Sequence, residues 1–151
     1  MKKGFTLIEL LVVMAILGIL ATVGLGAFRT SQMKSRDAKR KSDLGQIQRA
    51  LEMYFNDKGT YPTIPLSSWG GELVDPDNTE TIYMKELPSD PSGSPEYCYE
   101  PVNSKTYKLY AKLENSQDPN CLEGICSPPT GSCGGLTNAY NYGVSSPNTL
   151  P

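Results

Sequence analysis

Histidine is absent from the 151-residue chain. Its absence removes the commonest general base, the usual partner of a catalytic serine or cysteine, and the most frequent metal ligand. The glycine-flanked cysteine in Gly131-Ser132-Cys133-Gly134-Gly135 therefore has no ordinary base to activate it, and no enzyme activity is expected. Cysteine itself is missing from the N-terminal half; Cys98, Cys121, Cys126 and Cys133 all fall beyond it. If that half is exported, the even count implies two disulfides with three possible pairings. A four-thiolate zinc site is the rival, although the spacing lacks the C-x-x-C knuckles such sites show. Apolar residues are scarce beyond Asp57, at about a third of positions. A core that small gains from cross-links worth about 2–4 kcal/mol each.

Charge is nearly absent from Phe5 to Phe28, where Glu9 is the single ionisable side chain. As a helix rising about 1.5 Å per residue, this run would extend roughly 36 Å, enough for a bilayer core of about 30 Å. A secretory signal peptide removed around Gly24–Ala27 is the alternative, but its apolar region would far exceed the usual length of about 7–15 residues. Glu9 is the anomaly, because a carboxylate in hydrocarbon is costly and marks function when it occurs. The remaining charge is uneven. Residues 1–57 carry nine Lys/Arg against five acids, and residues 58–151 carry five Lys against eleven acids. A basic stem and an acidic head favour stacking of stem on neighbouring head, with evenly solvated faces as the alternative. A positive-inside count alone would place the C-terminal part in the cytoplasm, since Arg29, Lys34, Arg36, Lys39, Arg40 and Lys41 outnumber Lys2 and Lys3.

The N-terminus reads Lys2-Lys3-Gly4-Phe5-Thr6-Leu7-Ile8-Glu9, then Leu10-Leu11-Val12-Val13 and Ile16-Leu17-Gly18-Ile19-Leu20-Ala21. This pattern resembles the class III leader of type IV pilins and type II secretion pseudopilins. The resemblance implies that a prepilin peptidase cuts after Gly4 on the cytoplasmic side and methylates Phe5, while the apolar run stays in the mature chain. It also implies, together with the cysteines, the opposite orientation to the charge count. The precursor would cross the inner membrane once with its C-terminal head outside the cytoplasm, and would then enter an extracellular or periplasmic filament. Cleavage would leave an ammonium on Phe5, about one helical turn from Glu9. Glu9 can then pair with its own amine or with a neighbour's; in a bundle of helices the second arrangement sets register, because an unpaired buried charge is unfavourable. Snorkelling of Glu9 to the headgroups is the alternative.

Beyond the apolar run, Leu44, Ile47, Leu51 and Tyr54 recur at spacings of three and four and predict one apolar stripe. Upstream the same face carries Asp37 and Arg40, so residues 29–43 read as polar all round. A coiled-coil partner for the stripe is the alternative to an ordinary core. Asn56-Asp57-Lys58-Gly59, with Pro62 soon after, supplies the stop. Gly18, Gly24 and Gly26 weaken the helix or allow close packing; the family often has a proline near the last two, and this chain does not. Residues 56–63 and the Leu87-Pro88-Ser89-Asp90-Pro91 turn are also similar to the family, as the helix end and the approach to its sheet. In the loop between, Trp69 is the one large anchor. Strand patterns follow at Glu96–Val102, Thr106–Glu114 and Ala139–Val144. The second puts Tyr107, Leu109, Ala111 and Leu113 on one face and Lys108, Tyr110 and Lys112 on the other.

Asp75-x-Asp77-x-Thr79 with Glu86 has the outline of a calcium loop, but Glu80 stands where such loops need glycine. No cofactor is expected, with calcium there as the alternative; the family's own calcium loop would fall in the cysteine-rich region, which has few carboxylates. The basic cluster at residues 34–41 could meet nucleic acid. Without aromatic residues to stack bases, lipid headgroups or acidic heads of neighbouring subunits are the preferred partners.

The expected architecture is α+β and pilin-like, a long helix on a small antiparallel sheet with a disulfide-stapled C-terminal loop. Its parts are a leader over 1–4, a transmembrane and filament-core helix over 5–28, a helical stem and head spine over 29–57, a connecting loop over 58–95, and sheet plus C-terminal loop over 96–151. The expected role is a homo-oligomeric helical filament subunit that also meets the peptidase, an inner-membrane assembly platform and the lipid bilayer. A type IV pilus subunit is preferred over a type II secretion pseudopilin because calcium-loop features are missing. A membrane-tethered binding module that never polymerises is the alternative from another class.

Overall fold

The computed structural model describes residues 4–62, 69–93, 96–121, 131–133 and 136–147, with the backbone alone at 23–25, 131–133 and 136–139. The chain divides into two compact units, Met1–Ser35 and Arg36–Pro151. One helix, α1 (Leu7–Lys58), contributes residues to both. It stops where expected. Gly59 takes a left-handed φ of 69° and its N–H donates to the Phe55 carbonyl at 2.7 Å, the cap that glycine adopts without strain.

From Leu7 to Phe28 the helix carries one charge, Glu9, and its described side chains are exposed; Leu7 is 89 % exposed and Leu11 70 %. It is long and apolar enough to cross a membrane. In the second unit the predicted stripe is core: Leu44, Ile47 and Leu51 are fully buried and Tyr54 nearly so.

Among the described residues, strands follow the helix along the chain. These are β1 (Leu73–Val74), β2 (Ile82–Met84), β3 (Cys98–Asn103), β4 (Thr106–Ala111), β5 (Gly131–Cys133), β6 (Leu136–Tyr140) and β7 (Tyr142–Ser145). The central sheet has the order β3-β4-β7, antiparallel throughout, with Tyr99 opposite Leu109 and Leu109 opposite Val144. Tyr97, Tyr99, Tyr107, Leu109 and Ala111 join Leu44, Ile47 and Leu51 in one apolar cluster. The first two predicted strands match β3 and β4 closely. The third is divided between β6 and β7, with Asn141 between them.

Two further features depart from the sequence reading. The 58–95 loop contains the β1–β2 hairpin, whose base is closed by Gly70 N–H to Leu87 O and Leu87 N–H to Gly71 O, both 2.6 Å. Strands of two and three residues are too short for a period of two to register. Trp69 anchors the loop edge-on against Tyr97, at 5.7 Å between ring centroids. Tyr110, expected to face outward, is buried under Tyr140, with ring centroids 6.0 Å apart. Gly143 makes this possible: a Cβ there would lie 3.0 Å from the Tyr110 ring and 3.2 Å from the Leu109 carbonyl oxygen.

Cys98 and Cys121 are disulfide-bonded. That removes them from the zinc alternative, which needs thiolates. Cys126 lies outside the described residues, and the described residues alone do not establish the expected staple of the C-terminal loop.

Candidate functional site

The helix start is built by Thr6 and Glu9. Thr6 is the last residue before α1, and its N–H and hydroxyl both donate to Glu9 Oε2, at 2.9 and 2.8 Å. The Glu9 N–H donates back to the Thr6 hydroxyl at 3.3 Å. This reciprocal pattern is a capping box, and it satisfies donors that a helix start otherwise leaves open. The T-x-x-E spacing announces it in the sequence, where Thr6 is part of the motif but the assembly role is expected of Glu9 alone. Among the described residues every contact goes to Oε2, so Oε1 remains open to another donor. Gly4 and Phe5 precede the helix, and Phe5 is 84 % exposed, so the Gly4–Phe5 bond stands outside helical structure. Lys2 and Lys3 lie outside the described residues.

The basic cluster behaves differently from expectation. Arg40 is 1 % exposed, and all five of its N–H donors have partners. Nε and Nη2 grip the Asp90 carboxylate at 2.6 and 3.0 Å, and Nη2 also reaches the Ser92 hydroxyl. Nη1 divides between Asp37 and Glu114, both at 2.8 Å. Asp37 in turn accepts the backbone N–H groups of Glu114 and Asn115, at 2.9 and 2.8 Å. Arg36 adds a two-pronged contact to Glu114, and the Lys41 ammonium contacts both oxygens of Asp118.

The electrostatics follow from this pairing. Hydrogen bonding from Arg36 leads in holding the Glu114 carboxyl down at about 2; burial opposes it and Arg40 assists. Burial alone would raise the Asp90 carboxyl, but the Arg40 and Ser92 hydrogen bonds overcome it and the net shift is downward. For Arg40, burial disfavours the charge and the three carboxylates more than restore it. Three cations expected to meet lipid or neighbouring subunits are therefore neutralised within the chain. Apart from Asp37, three residues before Arg40, their carboxylate partners lie 50–78 residues away, beyond the reach of any local pattern. Among the described residues Arg29, Lys34 and Lys39 keep no carboxylate partner.

Carboxylates elsewhere are also occupied. Lys58 places its ammonium between Asp75 Oδ1 at 2.7 Å and Asp77 Oδ2 at 2.9 Å, where the calcium alternative would put its ion. Hydrogen bonding from Lys58 is the main reason the Asp75 carboxyl is lowered. Glu52 accepts the Tyr61 hydroxyl on both oxygens at 3.0 Å; burial first, then Glu52, pushes that phenol up to about 12. Among the described residues no group of three or more His, Cys, Asp or Glu could hold a metal ion.

Comparison with known proteins gives two family matches. The family described as the prokaryotic N-terminal methylation motif matches residues 1–25. The family described as type II secretion system (T2SS), protein G, matches residues 28–118. The chain is 32 % identical over 125 residues to the type II secretion system core protein G of Vibrio cholerae, covering 78 % of this chain and 84 % of the relative. It is 28 % identical over 153 residues to the Escherichia coli core protein G, covering 95 % and 93 %. The type IV major pilin protein PilA of Myxococcus xanthus is 39 % identical over 60 residues, covering 40 % of this chain and 27 % of the relative. No solved structure gives a significant match.

Proposed function

The chain belongs to the type II secretion system protein G family, and from that premise we propose that it is a pseudopilin, a structural subunit that polymerises into a helical filament. The preference for a type IV pilus subunit gives way here. It rested on missing calcium features, whereas the protein G match runs through residues 28–118 and takes in β1 to β4. The pilin relative shares only 60 residues.

Processing follows from the N-terminus. A prepilin peptidase cuts the exposed Gly4–Phe5 bond and methylates Phe5, a reading supported by the methylation motif over residues 1–25. The apolar helix then holds the subunit in the inner membrane, with the head outside the cytoplasm. Disulfide bonding of Cys98 and Cys121 supports that side, since such bonds persist in oxidising compartments. Cys126 and Cys133 are their candidate partners, which would staple the C-terminal loop.

The observation that carries the proposal is an exposed apolar helix bearing one carboxylate, whose contacts among the described residues all fall on Oε2. When helices bundle, the ammonium of a neighbour's Phe5 reaches Oε1 of Glu9, while Thr6 holds Oε2. Wrong registers leave both charges unpaired in a dry interior. The inner-membrane platform, the peptidase and further copies are the partners this requires.

Two measurements test it. Mass spectrometry of the mature N-terminus should begin at methylated Phe5, and a start near Ala27 would return the signal-peptide reading. Glu9→Gln should be processed normally yet yield few or no filaments by electron microscopy of sheared material. Filaments as abundant and regular as the parent's would remove the proposed register mechanism.

A further inference from the structure

Within Arg36–Pro151, three large hydrophobic side chains stand exposed among the described residues: Met53 at 51 %, Ile82 at 42 % and Val102 at 51 %. A single exposed apolar side chain needs no explanation. Met53 and Ile82, however, line one open groove of 490 Å³ between the last turns of α1 and β2. Its remaining lining includes two acids, Glu52 and Asp57. Glu80, exposed, lies just before the lining residue Thr81.

Val102 stands elsewhere, at the end of β3, where the register with β4 slips between Pro101 and Asn103. The turn that follows exposes Lys105, which among the described residues has no carboxylate partner. This tip is held in place. The Lys105 N–H donates to Asn103 Oδ1 at 2.8 Å, and the Ser104 carbonyl accepts the Tyr61 N–H at 2.8 Å. A fixed tip carries little ordering cost on binding.

An apolar tip beside a cation is the complement of an apolar groove bordered by acids. We propose that the β3–β4 tip of one copy docks into the groove of a second, with Val102 between Met53 and Ile82 and the Lys105 ammonium against Asp57. The two surfaces are different patches of one molecule. Such a contact is head-to-tail, and repeated without closing it generates an open helical array rather than a dimer. The inference rests on the filament reading and names a contact between heads that the reading leaves open.

The test uses the full-length chain expressed with its assembly machinery. Lys105→Glu and Asp57→Lys should each reduce filament yield about tenfold or more, since like charges then meet across the contact. Combining them should restore the parent yield. Both residues are exposed, and thermal unfolding in detergent should show each variant folded like the parent. A second measurement replaces Val102 with the photo-crosslinker p-benzoylphenylalanine in filaments of mixed heavy and light subunits. Crosslinks between copies should map to residues 52–57 or 80–84. Full yield from both single variants, no recovery in the pair, or crosslinks to other segments or to a different protein would overturn the contact and leave the filament reading intact. A parent chain that is correctly processed at Phe5 yet never polymerises would overturn that reading, and the contact with it.

Discussion

Asp37, Arg40, Leu44, Ile47, Leu51 and Tyr54 form one continuous row on α1, spaced by threes and fours. All six are buried. The lower part of the row is ionic and the upper part apolar, so two halves of one helix face hold the same head by different physics. The apolar half gains from area removed from water, at about 25 cal/mol per Å², with little regard for pH. The ionic half gains only while every charge keeps its partners. Arg40 joins the helix to Asp90 before β3 and to Glu114 after β4, and losing one member leaves the others buried and uncompensated. The apolar half supplies adhesion; the ionic half supplies position.

Three substitutions sharpen this contrast, each followed by unfolding of the full chain in detergent. Arg40→Ala should have the largest effect, about 3–5 kcal/mol, because it strands the Asp37 and Asp90 carboxylates in the interior. A loss below that of an ordinary surface substitution would show that water enters the ionic half freely. Leu51→Ala should cost roughly 2–5 kcal/mol through the lost transfer term and the cavity left behind. Its pH dependence should parallel the parent's, since no charge is touched.

The smallest effect is expected at Glu114, and it fades in acid. Arg36 and Arg40 hold this carboxyl at about 2, below its ordinary 4.5. A depressed folded-state value contributes stability that is complete above pH 4.5 and is lost as the pH falls toward about 2. Glu114→Gln should therefore flatten the stability–pH curve across that window relative to the parent. An unchanged curve would mean that Glu114 is screened by solvent and takes no part in the latch.

Much of the fold was legible because its signals are local. The apolar run, the stripe from Leu44 to Tyr54, the stop at Gly59 and the inward Tyr107, Leu109 and Ala111 of β4 each lie within a few turns or residues. Thr6 was equally legible, since its capping relation to Glu9 spans three positions. The β1–β2 hairpin was not, because its strands are shorter than any period they could display. The basic cluster misled for a different reason. Its composition suggested an outward electrostatic role, while its partners other than Asp37 come from segments brought near only by the completed sheet.

The amino-acid order by itself determined the long helix, its apolar first part and the placement of one carboxylate at its start, because helix propensity, capping and periodicity act over a few residues. Only the tertiary structure decided that Arg36, Arg40 and Lys41 are spent inside the chain and that Met53 and Ile82 converge on one groove. Those outcomes depend on contacts between distant segments, and such contacts exist only once the chain has closed around its core.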